Sequence, residues 1–509
     1  MKIFPFSSLR PLGTAALLTA FSTLSLHAAD GTWTFAGDGN WGTSSNWSGG
    51  TIASGSGATA TFQYGTPNTT NSVISVEADR TIGNLNFLGT AGSGTHNFTI
   101  NGPGILTLAG TTPTISSTLA SRDAKVNVVL AGSSGLTLAN NGSTVLSIGG
   151  ANTYTGLTTI STGIITVANN LAFGSTTGAT TVSGASGGAA VRLNDGITVT
   201  GETLNVSGNG TGSNYGTLHT ALNATAEWAG NIVLTNSSRF GANGATSSLI
   251  LNGVISDGAP GTGVAFSYGG NSDANGTVIL KGANTYSGST SVFRGTLKLD
   301  AGNNRLPTGT TLTIGGTALD ATVNLNGYDQ TVATLRSSSG AGVRTLTNAG
   351  ADNSVFTVNQ VSGTETYDGL ITGDITFVKS GAGTLNLTGT ANTFTGDITV
   401  NGGTLGIASA FINNTADVSI ASGAVFALNF DATDTIAGLY LNGIAQALGT
   451  YGSLASDATF KSAFFTGDGI LNVTEFSAVP EPSTTAAIMG ASILGLCLLR
   501  RHRSTRTSL

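Results

Sequence analysis

Apolar and polar residues alternate along most of this chain, in short runs broken by turn-forming residues. Leu297 and Leu299 flank Lys298, Ile165 and Val167 flank Thr166, and Leu405 and Ile407 flank Gly406. A period of two places successive side chains on opposite faces, so these runs predict β-strands with one buried face. Each of these three strands follows the same kind of block. The blocks are Ala151-Asn152-Thr153-Tyr154-Thr155-Gly156, Ala283-Asn284-Thr285-Tyr286-Ser287-Gly288 and Ala391-Asn392-Thr393-Phe394-Thr395-Gly396. A glycine follows each leading alanine at the same offset: Gly163, Gly295 and Gly403. Another apolar stretch precedes each block, ending at Ile148, Leu280 or Leu387, and the third copy carries one extra residue there, Thr390. The unit reads as strand, turn, strand, turn, strand. Asn and Gly tolerate a left-handed backbone, and Ser/Thr hydroxyls bond nearby backbone, so the block reads as a turn.

A unit of about 20 to 25 residues cannot bury an apolar face alone, and stacking such units does bury it, which is the logic of a solenoid. Ile165, Val167, Leu297, Leu299, Leu405 and Ile407 are therefore expected to point inward. Tyr154, Tyr286 and Phe394 are expected at equivalent corners, packed on neighbouring rungs. The intervals between the blocks suit rungs near 22 to 24 residues. The three blocks resemble the passenger-associated transport repeat, also called the autotransporter-associated β-strand repeat. That resemblance implies an all-β chain folded as a right-handed parallel β-helix, with Asn152, Tyr154 and Gly156, Asn284, Tyr286 and Gly288, and Asn392, Phe394 and Gly396 as its repeat turns.

In chain order, residues 1–29 read as a secretory signal peptide. Lys2 and Arg10 precede an apolar stretch from Gly13 to Leu26 that ends in His27-Ala28-Ala29. A retained membrane anchor is the alternative, and the apolar run is short for one. Residues 30–115 hold Trp33, Trp41 and Trp47. A solenoid end needs a cover against edge-to-edge association, so this section is expected to be an N-terminal cap, with a sugar-stacking platform as the alternative. Val76 to Leu85 is echoed by Leu325 to Leu335, and more loosely by Leu428 to Leu439. Residues 116–424 carry the repeats, and 425–476 read as a C-terminal cap.

The end of the chain, 477–509, gives a second signal. Pro480-Glu481-Pro482 precedes an apolar run from Thr485 to Leu499, then Arg500, Arg501, Arg503 and Arg506. The run suits a short transmembrane helix, and the arginines would hold the C-terminus in the cytoplasm with the body outside. These ordered parts resemble the PEP-CTERM sorting signal. The resemblance implies transient anchoring in the inner membrane of a Gram-negative bacterium, then recognition and cleavage by an exosortase near Pro480–Pro482. A simple tail anchor is the alternative.

Composition narrows the function. Only 9% of the residues are charged, 75 are Gly, and the one cysteine, Cys497, lies in the terminal apolar run. Stability therefore has to come from stacked strands, not from disulfides. Six of the 19 Lys/Arg sit at the termini (Lys2, Arg10, Arg500, Arg501, Arg503, Arg506), leaving 13 against 25 Asp/Glu. An acidic body argues against a nucleic-acid partner, which needs a clustered basic face.

No catalytic, metal or cofactor residues are expected. His96 and His219 belong to no nucleophile motif and are expected at the surface or in turns. Asp352, Glu365, Asp368 and Asp374 form the densest acidic stretch, expected on solvated rung surfaces and not as a paired-carboxylate site. The expectation is an exported, non-enzymatic structural or adhesive β-helix at the cell surface or in an exopolysaccharide matrix. Its rivals are a carbohydrate-active β-helix, either lyase or glycosidase, and a glycan-binding module. Autotransporters end in a membrane β-barrel. The roughly 110 residues after the third block here lack barrel-like strands, so exosortase sorting is expected in place of self-translocation.

Overall fold

The computed structural model describes residues 28–63, 71–89, 97–120, 122–183, 188–211, 216–266, 276–316 and 319–475. Residues 1–27, His96 and the whole segment 476–509 lie outside it. So do Pro480, Glu481, Pro482, Arg500, Arg501 and Arg503, and the apolar run before those arginines.

The described chain is an all-β parallel solenoid of about 15 turns, with almost no helix. Two short 3-10 turns, Ser44–Asn46 and Ser48–Gly50, are its helical elements. The strands stack on three faces, though not every turn adds one to each: none lies between Leu146–Ile148 and Thr158–Val167, or between Thr277–Leu280 and Thr290–Val292. The first face runs through Leu136–Asn140, the start of Thr158–Val167, Thr180–Ser183 and Leu204–Gly208. The second runs through Ala124–Val126, Leu146–Ile148, the end of Thr158–Val167 and Ala189–Leu193. The third includes Ser248–Leu251, Thr277–Leu280, Gly295–Leu299 and Ala321–Asn324.

Register follows from the alternation. Val278, Leu297 and Val323 pair in one inward column, while Ile279, Lys298 and Asn324 form the outward column beside it. Ile165, Val167, Leu297, Leu299, Leu405 and Ile407 are all fully buried, as their spacing predicts. A slip by one residue would move each of these sets to solvent. Aromatic residues follow the same columns: Phe62 stacks on Phe87 with ring centroids 5.0 Å apart.

Two features differ from the sequence reading. The parallel ladder already runs through 30–115, beginning with Gly31–Trp33 on Thr59–Phe62 and continuing to Asn84–Phe87 and Thr114–Ser117. Turn length also varies far more than 22 to 24 residues. It is 19 between Leu146 and Ile165 and 39 between Phe426 and Phe465, where an excursion through 444–461 intervenes. Inward columns constrain only the strands, so excursions outside them change a turn's length without moving the core.

The last turns change character. Leu439–Leu441 folds back on Ile444–Ala445, and Gly449–Gly452 pairs antiparallel with Ile470–Val473. These antiparallel pairs end the regular winding.

Candidate functional site

The three repeat blocks make one corner, built three times. Along each block Asn and the aromatic are buried while the residues between them are exposed. The asparagine holds the corner. Asn152 Oδ1 accepts the Leu130 N–H at 2.9 Å, and its Nδ2 donates to Ala172 O at 2.7 Å. Those partners lie 22 residues before and 20 after, so one carboxamide links three successive turns. Asn284 repeats this with Ile255 N and Arg305 O, both at 2.8 Å. Asn392 accepts from Ile371 N at 2.7 Å and, in the copy with the extra Thr390, donates locally to Gly389 O at 2.8 Å. Where the backbone swings through a corner, the side-chain amide supplies the acceptor and donor that a strand would have supplied.

This corrects the reading of the block as a left-handed turn. Neither the three asparagines nor Gly156, Gly288 and Gly396 have positive φ. Those glycines are needed for close approach. A Cβ on Gly156, Gly288 or Gly396 would stand 2.3, 2.4 or 2.5 Å from backbone of the turn below. The left-handed residues are the next glycines, Gly163, Gly295 and Gly403, at φ 69°, 65° and 63°.

The aromatic fills each corner. Tyr154 and Tyr286 are fully buried, and each hydroxyl lies 2.6 Å from a threonine four residues on, Thr158 or Thr290. Burial pushes both phenols well above their ordinary range. Phe394 packs between Phe377 and Phe411 on neighbouring turns, with centroids at 6.4 and 5.7 Å. The Tyr-x-x-x-Thr spacing was visible in the sequence, but its partner role was missed. Tyr154, Tyr286 and Phe394 belong to separate turns and form no common site.

Several ionisable side chains outside the blocks are buried, among them Glu202, His219 and Lys379. Glu202 accepts from Thr180 Oγ1 at 2.7 Å, and burial raises its carboxyl to about 7. Lys379 Nζ donates to the carbonyls of Ser380, Gly381 and Gly402 at 2.7, 2.9 and 3.2 Å, and burial lowers it to about 8. His219 is buried, not at the surface. Its Nδ1 lies 3.2 Å from Gly216 O, and burial beside the charge of Arg192 lowers it to about 3. Arg192 pairs with it in register, so the imidazole stays neutral in a structural column.

The acidic stretch forms no single site. Asp352 and Asp374 flank one corner on successive turns, where Asn353 donates to Asp374 Oδ1 at 2.7 Å. Glu365 lies on another face, in Thr364–Tyr367, and Asp368 pairs with Arg344 at 3.2 Å. Among the described residues, no group of three His, Cys, Asp or Glu side chains is placed to hold a metal ion.

Trp33, Trp41 and Trp47 are buried and touch edge to face, with centroids 5.1 to 5.3 Å apart. Their indole N–H groups donate to Phe35 O, Ala53 O and Trp41 O. A sugar-stacking platform needs an open indole face, and these three present none.

Comparison with known proteins agrees with the corner geometry. Residues 136–167, 275–305 and 377–407 match the family described as Passenger-associated-transport-repeat, and residues 478–503 match the PEP-CTERM protein-sorting motif. The chain is 35% identical over 188 residues to the Adhesin BmaC autotransporter of Brucella suis biovar 1 (strain 1330), an alignment covering 36% of this chain. The chain spans only 5% of that protein's length. No solved structure matches.

Proposed function

We propose that this chain, which carries three passenger-associated-transport repeats and a PEP-CTERM protein-sorting motif, is an exported structural or adhesive β-solenoid of the bacterial surface or extracellular matrix. The carrying observation is the order of parts: a stacked-repeat body whose last described strand, Ile470–Val473, is followed four residues later by the sorting motif from 478. In this reading the body winds right-handed, the usual hand of parallel crossovers. Residues 485–499 form a transient inner-membrane helix, with Arg500, Arg501 and Arg503 on the cytoplasmic side. An exosortase cuts near Pro480–Pro482, where two prolines disfavour helix.

Adhesion is supported by likeness to a protein named an adhesin. A matrix polysaccharide or envelope glycan is the proposed partner, and nucleic acid is not. The carbohydrate-active rival needs paired carboxylates in one groove, and the dispersal of Asp352, Glu365, Asp368 and Asp374 gives it no support.

The test is intact-mass measurement of the mature protein from strains with and without the exosortase. A C-terminus near Pro480–Ser483 that disappears with the exosortase is the expected result. Mature protein retaining 485–509 in both strains overturns the sorting step and leaves a plain tail anchor.

A further inference from the structure

The two ends of the solenoid treat large apolar side chains in opposite ways. At the first turn three tryptophans are buried. At the last turns Ile444, Leu448, Leu454 and Phe460 are 65%, 43%, 68% and 41% exposed. Elsewhere on the described surface such residues are spread along the chain, at Phe35, Leu157, Leu171, Leu222, Val343 and Val361.

Ile444 and Phe460 share one open groove of about 550 Å³ with Ala447 and Tyr451 between them, and Leu448 and Leu454 flank the two ends of the strand Gly449–Gly452 beside it. Phe460 stacks on Tyr451 with centroids 4.8 Å apart. Leu448 immediately precedes Gly449–Gly452, the strand that pairs through Tyr451 with Phe460, and Leu454 lies in the turn that joins those strands. A clustered apolar patch on a polar surface marks an interaction site.

The path of the chain says what this patch meets. Val473 pairs with Gly449, next to Leu448, and Thr474 and Glu475 remain bonded to Ile436 O and Ala437 O, so the chain leaves the body at Glu475. The nine residues 476–484 separate this exit from the apolar run at Thr485, and nine residues extend to at most about 30 Å. An anchored tail therefore keeps this end of the solenoid within that distance of the bilayer.

We infer that the Ile444/Leu448/Leu454/Phe460 end face rests on the lipid surface of the membrane that holds the tail. This rests on the reading of 485–499 as a membrane segment. Apolar side chains entering the interfacial layer gain burial there, and the tether makes a modest gain sufficient. Lys461 lines the groove, and Asp457 and Asp468 lie in the same terminal segment, so the segment carries no net positive charge. That balance makes the contact one of apolar insertion and not of attraction to anionic headgroups. The body would lie against the membrane while the cleavage site beside it is presented.

The single cysteine makes a clean test. Full-length chain, one copy per nanodisc of phosphatidylethanolamine and phosphatidylglycerol, is spin-labelled at native Cys497 to report on the tail. In a Cys497→Ser background, Leu454→Cys and Phe460→Cys report on the end face and Val361→Cys on the flank. The expected result is lipid-like accessibility at 497, and a several-fold higher ratio of oxygen to nickel-chelate accessibility at 454 and 460 than at 361. Equal ratios at 454, 460 and 361, with 497 in lipid, overturn the end-face contact and leave the anchor standing. A water-exposed 497 overturns the anchor and this inference with it. Dipolar broadening at 454 in discs holding two copies, absent in single-copy discs that show no lipid contact, assigns the face to a second copy instead.

Discussion

At Tyr154 and Tyr286 a buried hydroxyl finds a threonine four residues on, 2.6 Å away. In the third corner the same two positions hold Phe394 and Ile398, and both are buried without a hydroxyl. Polar group and partner are present together or absent together. What all three corners keep is the asparagine that accepts a backbone N–H of the preceding turn, and the glycine pressed against backbone below. The comparison separates what the corner requires from what merely fills it. The backbone must be answered at the turn, whereas the aromatic needs only volume and internal consistency.

The largest test strikes the shared part. Asn284→Ala leaves the Ile255 N–H and the Arg305 carbonyl without that partner, and a buried group left unpaired costs about 1–3 kcal/mol. A loss of about 2–5 kcal/mol in urea unfolding is expected. Asn392→Ala should cost less, because one of its two bonds is local. Equal tolerance of both changes would break the claim that the carboxamide staples turns together.

A smaller effect tests the part that differs. Phe394→Tyr buries a hydroxyl opposite Ile398 and should cost about 1–3 kcal/mol. Adding Ile398→Thr to that variant should recover part of the loss, which a double-mutant cycle reads as a favourable coupling. Tyr286→Phe should cost only about 1 kcal/mol, since Thr290 keeps its contact with Thr310 Oγ1 at 2.9 Å. Simple additivity at 394 and 398 would sink the pairing.

The smallest effect separates the first corner from the second. Beside the first, Thr180 donates to buried Glu202, and beside the second Thr290 meets neutral Thr310. Glu202 holds its proton up to about pH 7 when folded and up to the ordinary carboxylate range when unfolded. The folded state binds more protons in that window, so this contribution is full below the unfolded value and is lost as pH rises to about 7. Glu202→Gln should flatten the decline in melting temperature across that window. An unchanged slope would show that the carboxyl is solvated.

Much of the fold was legible because period-two alternation and a fixed offset between block, glycine and strand are local features. The inward set at 165, 167, 297, 299, 405 and 407 followed from them directly. The corner asparagines were legible as important but not in their role, because their partners lie about 20 residues away and spacing does not encode which turn lies above which. His219 was misplaced for the same reason. It sits in an outward column, yet Arg192 and the turn at Gly216 bury it. The start of the ladder was hidden because Trp33, Trp41 and Trp47 sit among glycines and serines that mask the alternation of Gly31–Trp33 and Thr59–Phe62. The exposed end face lies where alternation lapses between 442 and 463, which reads in sequence only as irregularity.

The tryptophan cluster at the first turn has a consequence for how the molecule comes into being. A chain threaded through a secretion channel emerges N-terminus first, and a stack held by nearest-neighbour contacts grows from any turn that is already stable. Trp33, Trp41, Trp47 and Phe62 close on one another within the first 62 residues, before most of the chain has crossed. In the export reading proposed above, that knot would give the emerging chain a first stable turn on which later turns dock.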